Sequence, residues 1–109
     1  MEFSVLSNNL KMPMMGFGVF QVTDKDVCKQ SVLNAIRTGY RLIDTAAVYG
    51  NEDAVGEAVR EAISEGLCTR DELFITSKLW VQDMLNQDTA KAGIEASLKK
   101  SGLEYFDLY

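Results

Sequence analysis

Apolar residues recur at helical spacing in three segments of the chain. The fullest pattern starts at Val55, where apolar residues fall at i, i+3, i+4, i+7 and i+8, the spacing of one helical face. A similar stripe extends from Cys28 to Ile36. Capping residues before these segments and glycines after them set the expected limits of each helix. The predicted helices lie between Thr23 and Gly39, between Asn51 and Gly66, and from Asp88 through about Lys100 to Gly102.

Short strand-like runs lie between the helices. The N-terminal FSVLSNNLKM predicts a hairpin that ends at Pro13, and TRDE at 69–72 predicts one further capped turn. Strands followed in turn by helices are typical of a parallel sheet with crossover connections, either doubly wound or closed into a barrel. The predicted strands are MMGFGVF at 14–20, YRLID at 40–44, LFITSKLW at 73–80 and EYFDLY at 104–109.

The last predicted strand has no turn or cap signal after it. We therefore expect the 109 residues to be a fragment, interrupted at about the fourth strand of a larger sheet. A (β/α)8 barrel typically needs about 250 residues. An unfinished parallel sheet exposes an unpaired edge, so self-association of the fragment is a further expectation.

Composition and charge narrow the classes of protein. The chain is 47% hydrophobic and 25% charged, as in ordinary globular domains. It has no apolar run of membrane-spanning length and no signal-peptide pattern. A net charge of −5 without a basic block argues against nucleic-acid binding. Two cysteines without metal-type spacing, and no histidine, predict a cytoplasmic protein with reduced thiols and no metal site.

Two ionisable residues lie where parallel strands place functional groups. Asp44 ends one predicted strand and Lys78 lies near the end of the next, with Tyr49 in the loop after Asp44. Neighbouring strands are about 4.8 Å apart, so the two charges can pair. An ammonium lowers the pKa of a nearby phenol, and a carboxylate keeps that ammonium charged. The trio is therefore a candidate proton-donating unit.

Each of these residues also has an ordinary structural interpretation. A strand-end aspartate often serves a turn, a lysine often extends to water, and a loop tyrosine often packs. A lysine at a strand end also suits Schiff-base aldolase chemistry, so Lys78 leaves that alternative open. GFGVFQ at 16–21 is not a dinucleotide loop, because Gln21 occupies the position of the third glycine. We interpret its glycines as allowing close approach in a crowded strand.

Longer motifs resemble a known family. The run GYRLIDTAAVYGNEDAVGEAV is similar to the aldo-keto reductase signature G-[YF]-R-x-[IL]-D-[TC]-A-x-x-Y-x-N-E. ELFITSKLW resembles the third barrel strand of that family, and SLKKSGLEYFDLY resembles the approach to the fourth, usually continued as L-I-H-W-P. The chain thus resembles the N-terminal part of an aldo-keto reductase, with the bacterial diketogluconate reductase group as the nearest type.

The resemblance implies a fold and an activity. The family folds as a (β/α)8 barrel whose bottom is plugged by an N-terminal hairpin, so residues 1–109 would be the N-terminal fragment of one barrel domain. It reduces the carbonyls of small aldehydes and ketones with NADPH, which it binds without a Rossmann motif. The family's catalytic tetrad is Asp, Tyr, Lys and His, and Asp44, Tyr49 and Lys78 match the first three.

Further site residues follow from the same resemblance. Val19 and Phe20 match a turn that faces cofactor and substrate, and Asp44 would lie near the nicotinamide ribose. Val48 and Trp80, with Phe20, match the walls of the substrate pocket. The chain contains no histidine for the fourth tetrad position. The resemblance therefore implies a monomeric full-length enzyme, and a 109-residue chain that is inactive, either an inert remnant or a self-associating fragment.

Overall fold

A three-stranded parallel sheet and a separate hairpin carry the chain's strands in the computed structural model, which describes all 109 residues. Three helices alternate with the strands of the sheet, which confirms the predicted α/β order. Short 3-10 turns occupy Ala47–Tyr49, Arg70–Glu72 and Val81–Asp83. The elements are β1 (Phe3–Val5), β2 (Lys11–Pro13), β3 (Gly16–Gly18), α1 (Lys25–Thr38), β4 (Leu42–Asp44), α2 (Glu52–Ser64), β5 (Phe74–Thr76) and α3 (Gln87–Ser101).

The sheet follows the order of the sequence. Its strands pair as β3-β4-β5, all parallel, and Gly18, Asp44 and Thr76 are register partners at its carboxyl end. The antiparallel hairpin β1-β2 pairs only with itself, as predicted. Sequential strand order with crossovers of one hand places successive helices on the same side of a sheet. The helices therefore leave the opposite face free of helical cover.

The core lies between the sheet and the first two helices. Ile43 and Ile75, one from each of two strands, are fully buried in a cluster with apolar residues of α1 and α2. The first helix buries its predicted stripe, and the second buries most of its own. None of the three helices has the length and hydropathy needed to cross a membrane.

Helix α3 packs closely on α2 at one glycine. A Cβ added to Gly56 would lie 1.8 Å from the carbonyl oxygen of Ser101, so only glycine permits this approach. The same carbonyl accepts a hydrogen bond of 2.6 Å from Arg60 Nη1. The last turn of α3 can therefore approach α2 closely at Gly56, and the Arg60 guanidinium holds it there by a hydrogen bond.

The helix ends were partly predicted correctly. Gly39, Gly66 and Gly102 all adopt positive φ after a helix, as expected. Two predicted N-caps are wrong by one or two residues. Asp24, rather than Thr23, accepts from the backbone N–H of Val27, and Asn86, rather than Asp88, accepts from that of Thr89. Several polar residues near each helix start compete for the cap, and local spacing does not decide among them.

The strands are shorter than predicted, and the last one is wrong. Residues 104–109 make only an isolated bridge between Leu108 and Thr76. The carboxylate of Asp107 accepts the backbone N–H of Ile75 at 2.8 Å, so a side chain replaces a ladder hydrogen bond there. Arg70 Nη1 holds the same carboxylate at 2.8 Å. Lys78 accordingly lies two residues beyond β5 rather than within a strand.

Candidate active site

Asp44 and Lys78 form an ion pair at the carboxyl end of the sheet. Thr76 is the register partner of Asp44 on the adjacent strand, and its hydroxyl donates to Asp44 Oδ1. Lys78 follows Thr76 by two residues, the period that returns a side chain to the same face. Its Nζ lies 2.8 Å from both Oδ1 and Oδ2 of Asp44. The parallel register therefore brings together two residues 34 positions apart.

The Lys78 ammonium is held by three acceptors. Besides the two Asp44 oxygens, it donates to the carbonyl oxygen of Thr45 at 2.9 Å. An ammonium has three N–H donors, so this set satisfies it. Its Nζ also lies 5.2 Å from the centroid of the Tyr49 ring, within the range of a cation–π contact. Lys78 thus meets Tyr49 as a charge near the ring and not as a hydrogen-bond donor, since its three N–H groups go to other acceptors.

Tyr49 ends the 3-10 turn that follows β4. Gly50 adopts a left-handed conformation directly after it, with φ of 72°, which lets the chain turn into α2. The Tyr49 ring is half-buried and packs against Phe20, with centroids 5.2 Å apart and planes inclined by 49°. Its hydroxyl makes no hydrogen bond within the chain, so it remains available to an outside acceptor.

The other predicted site residues are divided between surface and core. Phe20, which packs on the Tyr49 ring, is 65% exposed. Val48, which precedes Tyr49 in sequence, is 55% exposed. Trp80 is also exposed, and lines a separate cavity of about 250 Å³ with Ala47. Val19 is fully buried in the core, and its carbonyl is already hydrogen-bonded, so it has no free side-chain surface for a ligand.

Asn51 has a role that sequence reasoning missed. It precedes α2 as predicted, but its side chain does not cap that helix. Its amide donates to the carbonyls of Val19 and Val22 at 3.0 and 3.1 Å, and its oxygen accepts from Thr45 Oγ1 at 2.7 Å. Val19, Thr45 and Asn51 are buried, and Val22 is half-buried. Asn51 therefore fixes the loop that presents Phe20 against the loop that presents Tyr49.

Thr76 and Thr45 were also missed, because a threonine in a strand usually signals only β propensity and Thr45 follows directly after a strand. The signal that could have found Thr76 is its position two residues before Lys78, on the same face.

A cavity of about 490 Å³ opens beside the ion pair on the helix-free face of the sheet. It is lined by Asp44 and Lys78 together with Met12, Leu42 and Tyr109, among others. Burial raises the pKa of the Tyr109 phenol, and the hydrogen bond with Ser97 opposes that rise only in part.

Gly18 faces this side in register with Asp44, and an added Cβ there would meet no atom within 4 Å. Gly16 matches the crowding expected of a strand glycine, because a Cβ there would lie 2.5 Å from Leu42 Cδ2.

Comparisons with known proteins place this site in context. The family model described as the aldo/keto reductase family matches residues 14–109. An uncharacterized oxidoreductase of Bacillus subtilis is 50% identical over 106 residues, covering 97% of this chain and 38% of that protein. An NADPH-dependent aldose reductase of Saccharomyces cerevisiae is 47% identical, covering 95% of this chain and 31% of that protein.

The solved structure of a Bombyx mori aldo-keto reductase in complex with NADP superimposes with a TM-score of 0.92 at 42% identity. The match covers 99% of this chain and 36% of that one. The fold is therefore the N-terminal part of a (β/α)8 barrel, as predicted, and the chain spans about a third of the length of these relatives. By this structural match and the family model together, the chain belongs to the aldo/keto reductase family.

Proposed function

We propose that the protein containing this chain reduces the carbonyl group of small aldehydes and ketones to an alcohol, with NADPH as the cofactor. One observation supports the chemistry most directly: the Lys78 ammonium is bound by Asp44 and lies 5.2 Å from the centre of the Tyr49 ring. The NADPH-dependent aldose reductase among the relatives supports the choice of reaction and cofactor.

In this proposal Tyr49 is the proton donor. Reduction of a carbonyl leaves negative charge on its oxygen, and a positioned acid that donates a proton there lowers the barrier. The Tyr49 hydroxyl has no partner in the chain, so it can approach that oxygen. The Lys78 charge near the ring stabilises the phenolate that remains. Asp44 holds the ammonium in place through both carboxylate oxygens, and Thr76 orients Asp44 through its hydroxyl.

The donor set fits the nicotinamide end of the cofactor. Asp44 Oδ2 accepts only from Lys78, and its side chain is 34% exposed, so it retains a lone pair for a ribose hydroxyl. The exposed Phe20 ring beside Tyr49 offers an aromatic surface for a planar group. When bound, the cofactor supplies the hydride for the carbonyl carbon. Phe20 and Asp44 would hold that end, with Val19 limited to shaping the loop beneath.

Exposed apolar side chains around Tyr49 would form the substrate walls. Phe20 and Val48 are well exposed, and the exposed Trp80 ring lines a neighbouring cavity with Ala47 of the same turn. Water exclusion by such surfaces strengthens the electrostatic effect of Lys78 on the reacting oxygen. The substrate is therefore a small carbonyl compound with an apolar portion.

The 109-residue chain by itself is proposed to be inactive. We interpret it as the N-terminal portion of one barrel domain in a cytoplasmic, monomeric enzyme. It contains no histidine for the fourth member of the tetrad that the family resemblance implies. The outer edge of β3 is unpaired and the inner face of the sheet is open, so the isolated chain is expected to associate with itself.

The Schiff-base alternative fits the geometry less well. A lysine that attacks a carbonyl must be a free, neutral amine. All three donors of Lys78 are engaged by Asp44 and Thr45, so the amine is not free to attack. We therefore do not propose aldolase chemistry.

The test joins residues 1–109 to the remaining sequence of the Bacillus subtilis relative and follows NADPH oxidation with simple aldehydes. Turnover is expected, and Tyr49→Phe should reduce it at least about 100-fold, the usual contribution of a general acid. Tyr49→Phe keeps the ring that packs against Phe20 and removes only the hydroxyl, so the loss reports the proton donor. Unchanged turnover in Tyr49→Phe would remove the proposed role. Light scattering with the same assay on residues 1–109 tests inactivity, which a catalytic monomer would contradict.

A further inference from the structure

Glu52 is a buried carboxylate that the proposed reaction does not use. It opens α2 with only 2% of its surface exposed, and it makes no ion pair. Glu52 and Lys100 both line the cavity of about 250 Å³ that contains Trp80, but Lys100 forms no hydrogen bond or ion pair with Glu52. Burial of an unpaired carboxylate is costly unless hydrogen bonds compensate. The positive end of α2 offsets part of that cost. The hydrogen-bond partners of Glu52 must offset the rest.

Two serine hydroxyls provide those partners. Ser77 Oγ donates to Glu52 Oε2 at 2.7 Å, and Ser97 Oγ donates to Glu52 Oε1 at 3.1 Å. Ser97 also shares a hydrogen bond of 2.7 Å with the Tyr109 hydroxyl. One carboxylate therefore joins the start of α2 to two other parts of the chain: the segment after β5 through Ser77, and α3 through Ser97.

The branch through Ser77 leads directly to the ion pair. Ser77 is buried and is covalently adjacent to Lys78, which has already left the sheet. The backbone there is held by two further bonds, from Ala47 N–H to the Lys78 carbonyl at 3.1 Å and from Ser77 N–H to the Leu108 carbonyl at 3.1 Å. Ser77 Oγ to Glu52 is the side-chain bond that connects this segment to a helix.

We propose that Glu52 is a positioning residue that fixes the Lys78 segment, through the Ser77 hydroxyl, so that the ammonium stays between Asp44 and the Tyr49 ring. Residues 51 and 52 then have complementary tasks: Asn51 fixes the loops of Phe20 and Tyr49, and Glu52 fixes the lysine that acts on them. The catalytic consequence rests on the proposed function, whereas the positioning itself does not.

The test is competitive labelling of lysines in residues 1–109 with a trace amine-acylating reagent, read by mass spectrometry. Lys78 must leave its three acceptors before its amine reacts, so its labelling relative to the exposed Lys91 reports how firmly it is held. Loss of one hydrogen bond to a charged group corresponds to about a tenfold change. Ser77→Ala should therefore raise the Lys78/Lys91 labelling ratio by up to about tenfold.

Ser97→Ala is the matched control. It removes a serine hydroxyl from the same carboxylate, but on the α3 side, and should leave the ratio unchanged although it lowers stability. If Ser77→Ala does not fold, Ser77→Cys replaces it, because a thiol has similar volume and is a weak donor. An unchanged ratio in the Ser77 variant overturns the proposal, as does an equal rise in both variants.

Kinetics in the chimera separate this proposal from the proposed function. Ser77→Ala should lower kcat while the KM for NADPH stays the same, since only the lysine is displaced. A chimera without any turnover would contradict carbonyl reduction and leave the labelling result standing. A Ser77→Ala chimera with unaltered kcat, despite increased labelling, would overturn the catalytic part of the positioning role.

Discussion

Lys78 Nζ lies 2.8 Å from each carboxylate oxygen of Asp44, although the two residues are 34 positions apart in sequence, Asp44 at the end of β4 and Lys78 just beyond β5. The side chains are 51% and 34% exposed, so solvent screens the pair and its contribution to stability is small. Its importance lies in where it holds a positive charge, above the Tyr49 ring.

This pair predicts a separation between stability and turnover. Asp44→Asn should change the free energy of unfolding by no more than about 1 kcal/mol, as for an exposed ion pair. In the chimera the same change should lower kcat strongly, because the ammonium loses the charge that holds it. Urea unfolding and NADPH oxidation are the two measurements. Lys25→Met, which breaks an exposed pair with Asp53, is the control and should leave kcat unaltered.

Phe20 should influence substrate choice more than stability. Its ring is 65% exposed and contacts Tyr49 at a centroid distance of 5.2 Å. Phe20→Ala is expected to raise KM for aromatic aldehydes more than for short aliphatic ones, because an aromatic surface is lost. Phe20→Trp should retain low KM values. Equal effects on both classes of aldehyde would show that Phe20 does not line the substrate site.

A substitution at Asn51 can show whether its side chain acts as a helix cap or as a tertiary contact. Asn51→Ser preserves good N-cap chemistry, and a capping role alone would make it nearly neutral. We expect instead a loss of about 2–4 kcal/mol in the free energy of unfolding, because the Val19 carbonyl keeps only the Val22 N–H, the half-buried Val22 carbonyl loses the Asn51 amide, and the buried Thr45 hydroxyl loses its acceptor. Asn86→Ser, at a true cap, should cost little. Similar small losses at both positions would contradict the assignment.

Gly56 should not tolerate a side chain. A Cβ there would lie 1.8 Å from the Ser101 carbonyl oxygen, which also accepts from Arg60, so the backbone of α3 would have to move. We expect Gly56→Ala to destabilise the chain by about 1–3 kcal/mol, despite the better helix propensity of alanine. Gly18→Ala is the control, since nothing lies within 4 Å of its added Cβ. Thermal or urea unfolding compares the two.

Stability should decline at alkaline pH. Burial, with a smaller effect of Asp53, raises the pKa of Cys28. Burial also raises the pKa of Cys68, more than Arg41 lowers it. The folded state therefore binds these protons more tightly than the unfolded chain. Their contribution is complete below about pH 8.5, the ordinary thiol pKa, and is lost as pH rises through the raised values.

Urea unfolding in reducing buffer at several pH values checks this decline. Cys28→Ala should make the slope of stability against pH shallower above the ordinary thiol pKa, even though it leaves a small cavity. A slope identical to that of the unsubstituted chain would contradict the contribution of the Cys28 thiol.

The helices and the glycines that end them could be predicted from local sequence. Apolar spacing, and the positive φ of Gly39, Gly66 and Gly102, depend on residues close in the chain. The pairing of Asp44 with Lys78 was also accessible, since parallel strands align their carboxyl ends. The role of Asn51 depends on the folded chain. Its side chain meets Val19, Val22 and Thr45 only after the loops have folded. Because the amide is buried there, it forms hydrogen bonds with these three residues and does not cap its own helix.

Residues 104–109 illustrate the same limit. Their composition favours a strand, yet the Asp107 carboxylate takes the Ile75 N–H and is held by Arg70, 37 residues earlier in the chain. Local sequence was enough to predict which segments are helical and which carboxylate, phenol and ammonium lie close together. The lengths of the strands and the buried hydrogen bonds of Asn51 and Glu52 depend on the folded chain, because most of the hydrogen-bond partners lie far away in sequence.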